Sequence, residues 1–220
     1  MKMRRTAVTL AALGTAAAVT APAAMASTGS TELGTKSLAT VLTSDGNQFD
    51  TNWYDYDIVT EAALAVLGQK PSSAVGVLTD GNKPVTAFIP DDRSFQVLAK
   101  ELTGKWYGTE KGVFGALAAF DLKDNGKLDT IETVLLYHVL PGATITKKDA
   151  VNADGAKLTM ANGGTVTVDV VSKWLPLVVL KDADKNDVNP FVNPRRFDIN
   201  KGNKQIAHGI VFVLRPADLP

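Results

Sequence analysis

The first half of the chain carries apolar residues at helical spacing. Between residues 58 and 67 they recur three and four positions apart, and Asp55 or Asp57 stands where a capping residue would begin a helix. Gly68 and then Pro71 follow, which is the usual order of residues at a helix end. The pattern predicts an amphipathic helix in this segment.

A strand and a second helix are predicted after this segment. Residues 85–89 are mostly apolar, and Pro90 ends the strand because proline fixes its own backbone and restricts the residue before it. Asp91 or Asp92 then provides a side-chain cap for a helix. The apolar face of this helix contains Phe95, Leu98 and Leu102.

In the second half of the chain the period changes from helical to alternating. Val166, Val168 and Val170 alternate with polar residues, which is typical of a strand with one buried face. Further strands are predicted at residues 158–160, 177–180 and 209–214. Helices followed by strands predict an α+β fold rather than a regular alternation of strands and helices.

The N-terminal residues 1–26 contain the three regions of an export signal. Residues 1–5 are cationic, residues 6–20 are apolar, and residues 24–26 give a small-x-small cleavage pattern. A transmembrane anchor is the alternative, but the stretch is rich in Ala and Thr and barely long enough to span a bilayer. We expect a cleaved signal peptide and a secreted protein.

After cleavage the chain is mildly acidic and contains no cysteine. Of the 23 basic residues, Lys2, Arg4 and Arg5 are lost with the signal, so the 23 acidic residues leave a net charge of −3. No basic stripe is present to replace phosphate counterions, which argues against a nucleic-acid partner. The absence of cysteine excludes disulfides, thiol catalysis and cysteine zinc sites.

Three segments together resemble the fasciclin-like domain family. They are residues 86–95 (TAFIPDDRSF), 135–142 (LLYHVLPG) and 206–214 (IAHGIVFVL), in the order and spacing of the family. The resemblance covers about residues 36–220. The family motif residues are Thr86, Phe88, Pro90, Phe95 and His208.

Two features depart from the family pattern. Val211 stands where the family usually has Asp, so a hydrogen bond from that carboxylate is missing. Residues 182–196 (DADKNDVNPFVNPRR) form a longer and more polar segment than the hairpin region of the family. These departures concern local geometry rather than the fold.

The resemblance implies an α+β fold in one domain, residues 37–220, with a β-sandwich or wedge flanked by several helices. The polar residues 27–36 are expected to form a flexible lead-in. The family also implies a non-catalytic role in extracellular adhesion or matrix binding, without a cofactor. We expect a secreted monomer, released or loosely attached to the cell wall, that binds a cell-surface or matrix protein or a glycan.

In animal members of the family, the Tyr-His segment and an Asp-Ile pair are associated with receptor binding. Tyr137 and His138 match the first pair, and Asp198 and Ile199 resemble the second. Because the export signal has a bacterial character, the resemblance implies a partner-binding surface rather than an animal receptor.

The segment 182–196 is the favoured contact surface. Its residues Phe191, Arg195 and Arg196 belong to types that are enriched at binding hot spots. The aromatic group at residues 53–56 either forms an exposed platform or packs the start of the next helix onto the core. A glycan-binding module that uses these aromatic residues is therefore an alternative function.

An extracellular hydrolase is the other alternative. The chain has two histidines, His138 and His208, which we interpret as hydrogen-bonded structural residues. Neither the HExxH zinc motif nor the GxSxG nucleophile motif occurs. No catalytic residue is predicted.

Two acidic stretches are candidates for calcium. Residues 121–132 approach the EF-hand spacing, but Lys123 occupies a coordinating position. We interpret this stretch as a glycine turn and a helix that Asp129 and Glu132 cap. Residues 182–187 lack the loop glycine and the terminal glutamate, which favours a solvated turn. No metal site is predicted.

Export is expected to leave Ser27 as the first residue of the mature protein, because cleavage follows the small-x-small pattern. Intact-mass analysis of the secreted chain checks this expectation. A secreted protein that retains Met1 would contradict it.

Overall fold

Helices dominate the first half of the chain and strands the second, as the hydrophobic pattern predicts. The computed structural model describes residues 32–44, 46 and 48–218. The predicted signal peptide, residues 1–26, and residues 27–31 of the lead-in lie outside this range. Within the described residues, none of the helices combines the length and apolar character needed to cross a membrane.

The described part of the chain contains short and long helices and seven strands. The helices are α1 (Leu38–Leu42), α2 (Asp57–Gln69), a 3-10 helix (Ala74–Thr79), α3 (Asp92–Thr103), α4 (Glu110–Asn125), α5 (Asp129–Tyr137) and α6 (Lys147–Ala150). The strands are β1 (Val85–Pro90), β2 (Val139–Pro141), β3 (Lys157–Thr159), β4 (Thr165–Ser172), β5 (Leu177–Lys181), β6 (Phe191–Val192) and β7 (Gln205–Val211).

The fold begins within the predicted lead-in. The Gly34 N–H donates to the Gly202 carbonyl at 2.8 Å, and the Lys36 N–H donates to the Asn203 side chain at 3.0 Å. These bonds tie residues 34–36 to the turn just before β7.

The seven strands form one sheet in the order β2-β1-β7-β6-β5-β4-β3. β1 pairs in parallel with β7, where Phe88 lies opposite His208. On its other side β1 pairs antiparallel with β2, where Ala87 lies opposite Val139. The three segments that carry the family resemblance are thus neighbouring strands, although they are far apart in the sequence.

The sheet curves until its two edges approach each other. Ala161, just after the edge strand β3, donates its N–H to the carbonyl of Val139 in the other edge strand at 2.8 Å. The sheet nearly closes into a barrel, so the expected sandwich or wedge is one curved sheet around one core. All seven strands contribute to this core, with Phe88, Leu140, Leu158, Val166, Val168, Val178, Leu180, Val192 and Ile210.

The helices α2, α3, α4 and α5 pack around a second apolar core. Phe95 and Leu98 of the predicted apolar face are buried there, and burial of such a side chain stabilises the fold by about 1.5–3 kcal/mol. The sequence pattern does not reveal α4, because this helix exposes Phe120 and Leu122 and has no clean apolar stripe.

The start of α2 is capped by a residue from another helix. The Asp92 carboxylate, in α3, accepts the backbone N–H groups of Asp57 and Ile58 at 3.2 and 2.8 Å. The prediction of a local cap by Asp55 or Asp57 is wrong, because neither carboxylate caps this helix. The cap therefore joins two helices rather than closing one.

The start of α5 is capped in the same way. Asp121, in α4, accepts the second and third backbone N–H groups of α5 at 3.0 and 2.8 Å. The predicted capping by Asp129 and Glu132 is wrong, because their carboxylates bind the Lys70 ammonium. Since Asp121 lies in a helix, residues 121–132 do not form an EF-hand loop.

Both histidines are buried, and their rings are engaged in hydrogen bonds. The His138 Nδ1–H donates to the Val134 carbonyl at 2.7 Å, and its Nε2 accepts the Leu214 N–H at 2.9 Å. The His208 ring likewise bonds two backbone groups. Burial lowers the pKa of His138 to about 4 and also lowers the pKa of His208, so both rings are neutral near pH 7.

Replacing Asp121 by Ala is expected to lower the free energy of unfolding by about 1 kcal/mol, because α5 loses its cap. Asp121→Asn keeps an oxygen acceptor and should lose less. Urea unfolding of the wild type and the two variants, at one calcium concentration, measures both differences. Equal stability of the Ala variant and the wild type would exclude the capping role.

His138→Ala is expected to cost about 1–3 kcal/mol at pH 7, because the buried Val134 carbonyl and Leu214 N–H lose their partner. The wild type loses stability as the pH falls from 6.5 towards 4, since only the unfolded state readily protonates this ring. The cost should therefore shrink over this range, by up to about 1.4 kcal/mol per pH unit.

Denaturant unfolding of the wild type and His138→Ala at several pH values tests this dependence. A melting temperature that the substitution leaves unchanged at pH 7 would mean that the ring is exposed. A cost that stays constant down to pH 4 would mean that its pKa is not lowered.

Candidate functional site

The two loops that the sequence singles out, residues 53–56 and 182–196, meet at one groove. Its volume is about 670 Å³. We call it the Tyr54–Arg196 groove. The described residues that line it are Tyr54, Tyr56, Asp91, Leu175, Asn193, Pro194, Arg195, Arg196, Gly209 and Ile210.

The loop that carries the arginines is fixed to β7 at Gly209. The Asn193 N–H donates to the Gly209 carbonyl at 2.8 Å, and the Gly209 N–H donates to the Arg196 carbonyl at 2.8 Å. A Cβ at position 209 would lie 2.3 Å from the Tyr56 hydroxyl oxygen and 2.7 Å from the Arg196 Cβ. The glycine therefore allows Tyr56 and the arginine loop to approach the backbone of β7 closely.

Besides Gly209 and Ile210 of β7, the inner wall of the groove contains the half-buried Tyr56 and the buried Asp91. Burial raises the pKa of Tyr56 to about 12, so its phenol is neutral. Asp91 caps α3, as predicted, and accepts the Ser94 N–H at 2.9 Å. Burial also raises the pKa of Asp91, while the nearby Arg196 guanidinium opposes that rise. A partner would accordingly meet the rim first.

The rim carries exposed aromatic, apolar and cationic side chains. Tyr54 is 66% exposed, and Leu175 is 59% exposed. Arg195 and Arg196 are also exposed, and the Arg196 guanidinium approaches the Tyr54 carbonyl at 3.5 Å. Aromatic residues and arginine in one patch are the composition of binding hot spots.

The turn between β4 and β5 is a part of the rim that sequence reasoning missed. Leu175 lines the groove, and its neighbour Trp174 is 94% exposed. The sequence contains a signal that could have indicated this part of the rim. A tryptophan in the short connection between two predicted strands is expected to be exposed, and an exposed tryptophan marks a binding surface.

The aromatic group at residues 53–56 combines both roles that the sequence left open. Trp53 and Tyr56 pack against the helical core, as a group that holds the start of a helix would. Tyr54 lies between them and stays at the surface. Only one of the three aromatic rings can therefore contribute an exposed platform.

The acidic half of the segment 182–196 binds a cation of the protein itself. The Arg215 guanidinium contacts Asp184 at 3.3 Å and Asp187 at 2.9 Å, and it also pairs with Glu101. Asp182 accepts the backbone N–H of Arg215 at 2.8 Å. The prediction of a solvated turn is therefore wrong, because these carboxylates form a partly buried ion-pair network.

Phe191 is only partly available in the same segment. Its ring packs edge-on against Phe212, with 6.3 Å between the ring centroids. It belongs to β6 and does not line the groove. Of the three predicted contact residues in this segment, the structure therefore brings Arg195 and Arg196 to the groove.

The Tyr-His pair of the family lies inside the fold, and the Asp-Ile pair is half-buried. Tyr137 is buried and donates its hydroxyl to the Thr165 carbonyl at 2.8 Å, and His138 is buried as described. Both would need rearrangement of the core before they could reach a partner.

The Asp-Ile pair is also engaged within the fold. The Asp198 carboxylate accepts the Lys147 N–H at the start of α6 at 2.6 Å, and Asp198 has a left-handed backbone with φ of 58°. Ile199 bridges Ala207 in β7. The family motif residues are likewise buried, namely Thr86, Phe88, Pro90, Phe95 and His208.

Comparison with known proteins shows a structural likeness but no sequence relative. No protein-family model matches the sequence, and no curated protein matches it. The chain is similar to the structure of a FAS1 domain pair from the insect cell adhesion molecule fasciclin I, with a TM-score of 0.54 and 16% sequence identity. The match covers 83% of this chain and 51% of that one, so the chain spans about half the length of the pair.

The strand arrangement agrees with this likeness. The three motif segments, which the sequence places in family order, lie side by side as β2, β1 and β7. At 16% identity the comparison concerns the fold. The chain has the α+β fasciclin (FAS1) fold.

Proposed function

We propose that this chain is a secreted, non-catalytic binding module that attaches to a cell-surface or matrix protein through the Tyr54–Arg196 groove. The observation that carries this proposal is the rim, where Tyr54, Arg195 and Arg196 are exposed together around one concave surface. One solved structure with this fold is a domain pair from a cell adhesion molecule, which supports a binding role.

The rim favours an acidic segment of the partner. Among the ion pairs of the described residues, none involves Arg195 or Arg196. Two neighbouring guanidinium groups fit carboxylates, since each can donate two parallel hydrogen bonds. Tyr54 and Leu175 add apolar contact area beside these charges.

A rigid loop increases the affinity that this rim can provide. The backbone around Arg195 and Arg196 is held by hydrogen bonds to Gly209 and within the loop itself. A partner would therefore order few main-chain dihedrals on binding, and preorganisation reduces the entropic cost of association. The groups that become ordered on binding are then mainly the side chains.

The state of the histidines supports the non-catalytic part of the proposal. A histidine that acts as a general base must lie within hydrogen-bond reach of a substrate proton. His138 and His208 are buried, and each already bonds two backbone groups through its two ring nitrogens. A glycan partner is the other outcome to test, because Tyr54 and Trp174 could stack on sugar rings.

The double variant Arg195→Ala plus Arg196→Ala is expected to weaken binding to acidic peptides about tenfold or more, because both rim charges are lost. The probes are immobilised poly-glutamate peptides with interspersed aromatic residues, and an array of neutral and acidic glycans in parallel. Biolayer interferometry on the mature protein, at two salt concentrations, measures the affinities.

The matched control is Lys123→Ala plus Lys127→Ala. It also removes two exposed cations, but these lie at the C-terminal end of α4 and do not line the groove. This control should bind as the wild type does. Equal binding by the arginine double variant, with an unchanged melting temperature, would reject the groove. Binding to glycans but not to peptides would reject the protein partner.

A further inference from the structure

Three carboxylates from distant parts of the sequence converge behind the loop that carries Tyr54. Asp92 lies in the first turn of α3 and Glu110 in the first turn of α4, while Asp55 precedes α2. Each offers a carboxylate oxygen, and these three oxygens lie within 4.8 Å of one another. Asp50 and Asp57 form a similar group with Asp55.

The surrounding charges do not balance this cluster. None of the ion pairs among the described residues includes Asp55, Asp92 or Glu110. The three nearby helix N-termini each provide the equivalent of about half a positive charge. They offset roughly half of the charge of three carboxylates, and the remainder requires a cation or protons.

Two carboxylate oxygens in the cluster are buried without a hydrogen-bond partner. Glu110 is 0% exposed, and while its Oε2 accepts the Asp50 N–H at 2.6 Å, its Oε1 has no partner. Asp55 Oδ2 accepts the Asn52 amide at 2.8 Å, but the buried Oδ1 has no partner. A buried unpaired oxygen is costly, so these atoms point to a missing ligand.

We propose that Asp55, Asp92 and Glu110 bind a divalent metal ion, with calcium as the preferred one. Carboxylate oxygens are the ligands of hard cations. Calcium tolerates six to eight oxygens in irregular geometry, which suits three carboxylates on three separate elements and exposed Asp50 beside them. Magnesium requires a near-ideal octahedron and fits this arrangement less well.

The site was invisible in the sequence, because no spacing motif links residues 55, 92 and 110.

The ion would also hold the loop before α2 against α3 and α4. Asp50 and Asp55 lie on either side of the aromatic residues Trp53 and Tyr54, and the Asp92 N–H donates to the Asp55 carbonyl at 3.2 Å. A metal ion there would link the groove rim to the helical layer. This consequence adds order to the rim and does not depend on which partner the groove binds.

The test uses the mature secreted protein after treatment with a chelator, with calcium chloride and magnesium chloride as probes. Millimolar calcium is expected to raise the melting temperature by several degrees, with an affinity of roughly 10⁻⁴ to 10⁻³ M, the range of extracellular modules. Magnesium should have a smaller effect. Isothermal titration calorimetry measures the affinity and the number of ions bound.

Glu110→Gln keeps the shape of the side chain and an acceptor for the Asp50 N–H, and it removes one ligand charge. It should weaken calcium binding about tenfold or more, as should Asp55→Asn, which serves if the first variant does not fold. The control Asp80→Asn removes one half-exposed carboxylate outside the cluster and should bind calcium as the wild type does.

Absence of a calcium response in the wild type would overturn the proposal, because the carboxylates would then share protons instead. A calcium response that both Glu110→Gln and Asp55→Asn retain in full would also overturn it, since the ion would bind elsewhere. Loss of the response in these two variants, but not in Asp80→Asn, would support the site.

Discussion

The parallel pairing of β1 with β7 is the contact on which the other features of this fold depend. It pairs Val85 with Gln205 and Pro90 with Ile210, so most of the described chain lies in the sequence between the two paired strands. Such pairing carries the entropic cost of closing a long loop. Burial of residues along both strands offsets that cost, and every residue of β1 is buried.

The pairing of β1 with β7 also fixes the geometry of the groove. Gly209 lies opposite Ile89 in the parallel ladder, and the loop with Arg195 and Arg196 is hydrogen-bonded to the same glycine. The inner wall of the groove therefore includes residues of the central sheet, Gly209 and Ile210, while its rim consists of loops and a turn. A rigid floor with a variable rim is a common arrangement for recognition.

Negative charge organises the helical layer in this protein. Asp92 and Asp121 each cap the start of a helix other than their own, which ties pairs of helices together through backbone N–H groups. The same preference for carboxylates at helix N-termini brings Asp92 and Glu110 into one cluster with Asp55. Stability of this layer and the proposed ion site therefore depend on the same residues.

The sequence by itself determined the elements whose signals are local. Alternating valines marked β4, proline marked the end of β1, and Asp91 marked the start of α3. The three motif segments indicated the fold, because their residues fill the buried strands that define it. The sequence also pointed to Arg195 and Arg196, since arginine belongs to the residue types enriched at binding hot spots.

Only the tertiary structure decided which groups meet. Helix caps from other helices, the binding of Arg215 by Asp184, and the burial of both Tyr137 and His138 depend on contacts between residues far apart in the chain. Periodicity reports whether one side of an element is buried, but it contains no information about the element that covers it. The convergence of Asp55, Asp92 and Glu110 arises from helix packing, and no local pattern records it.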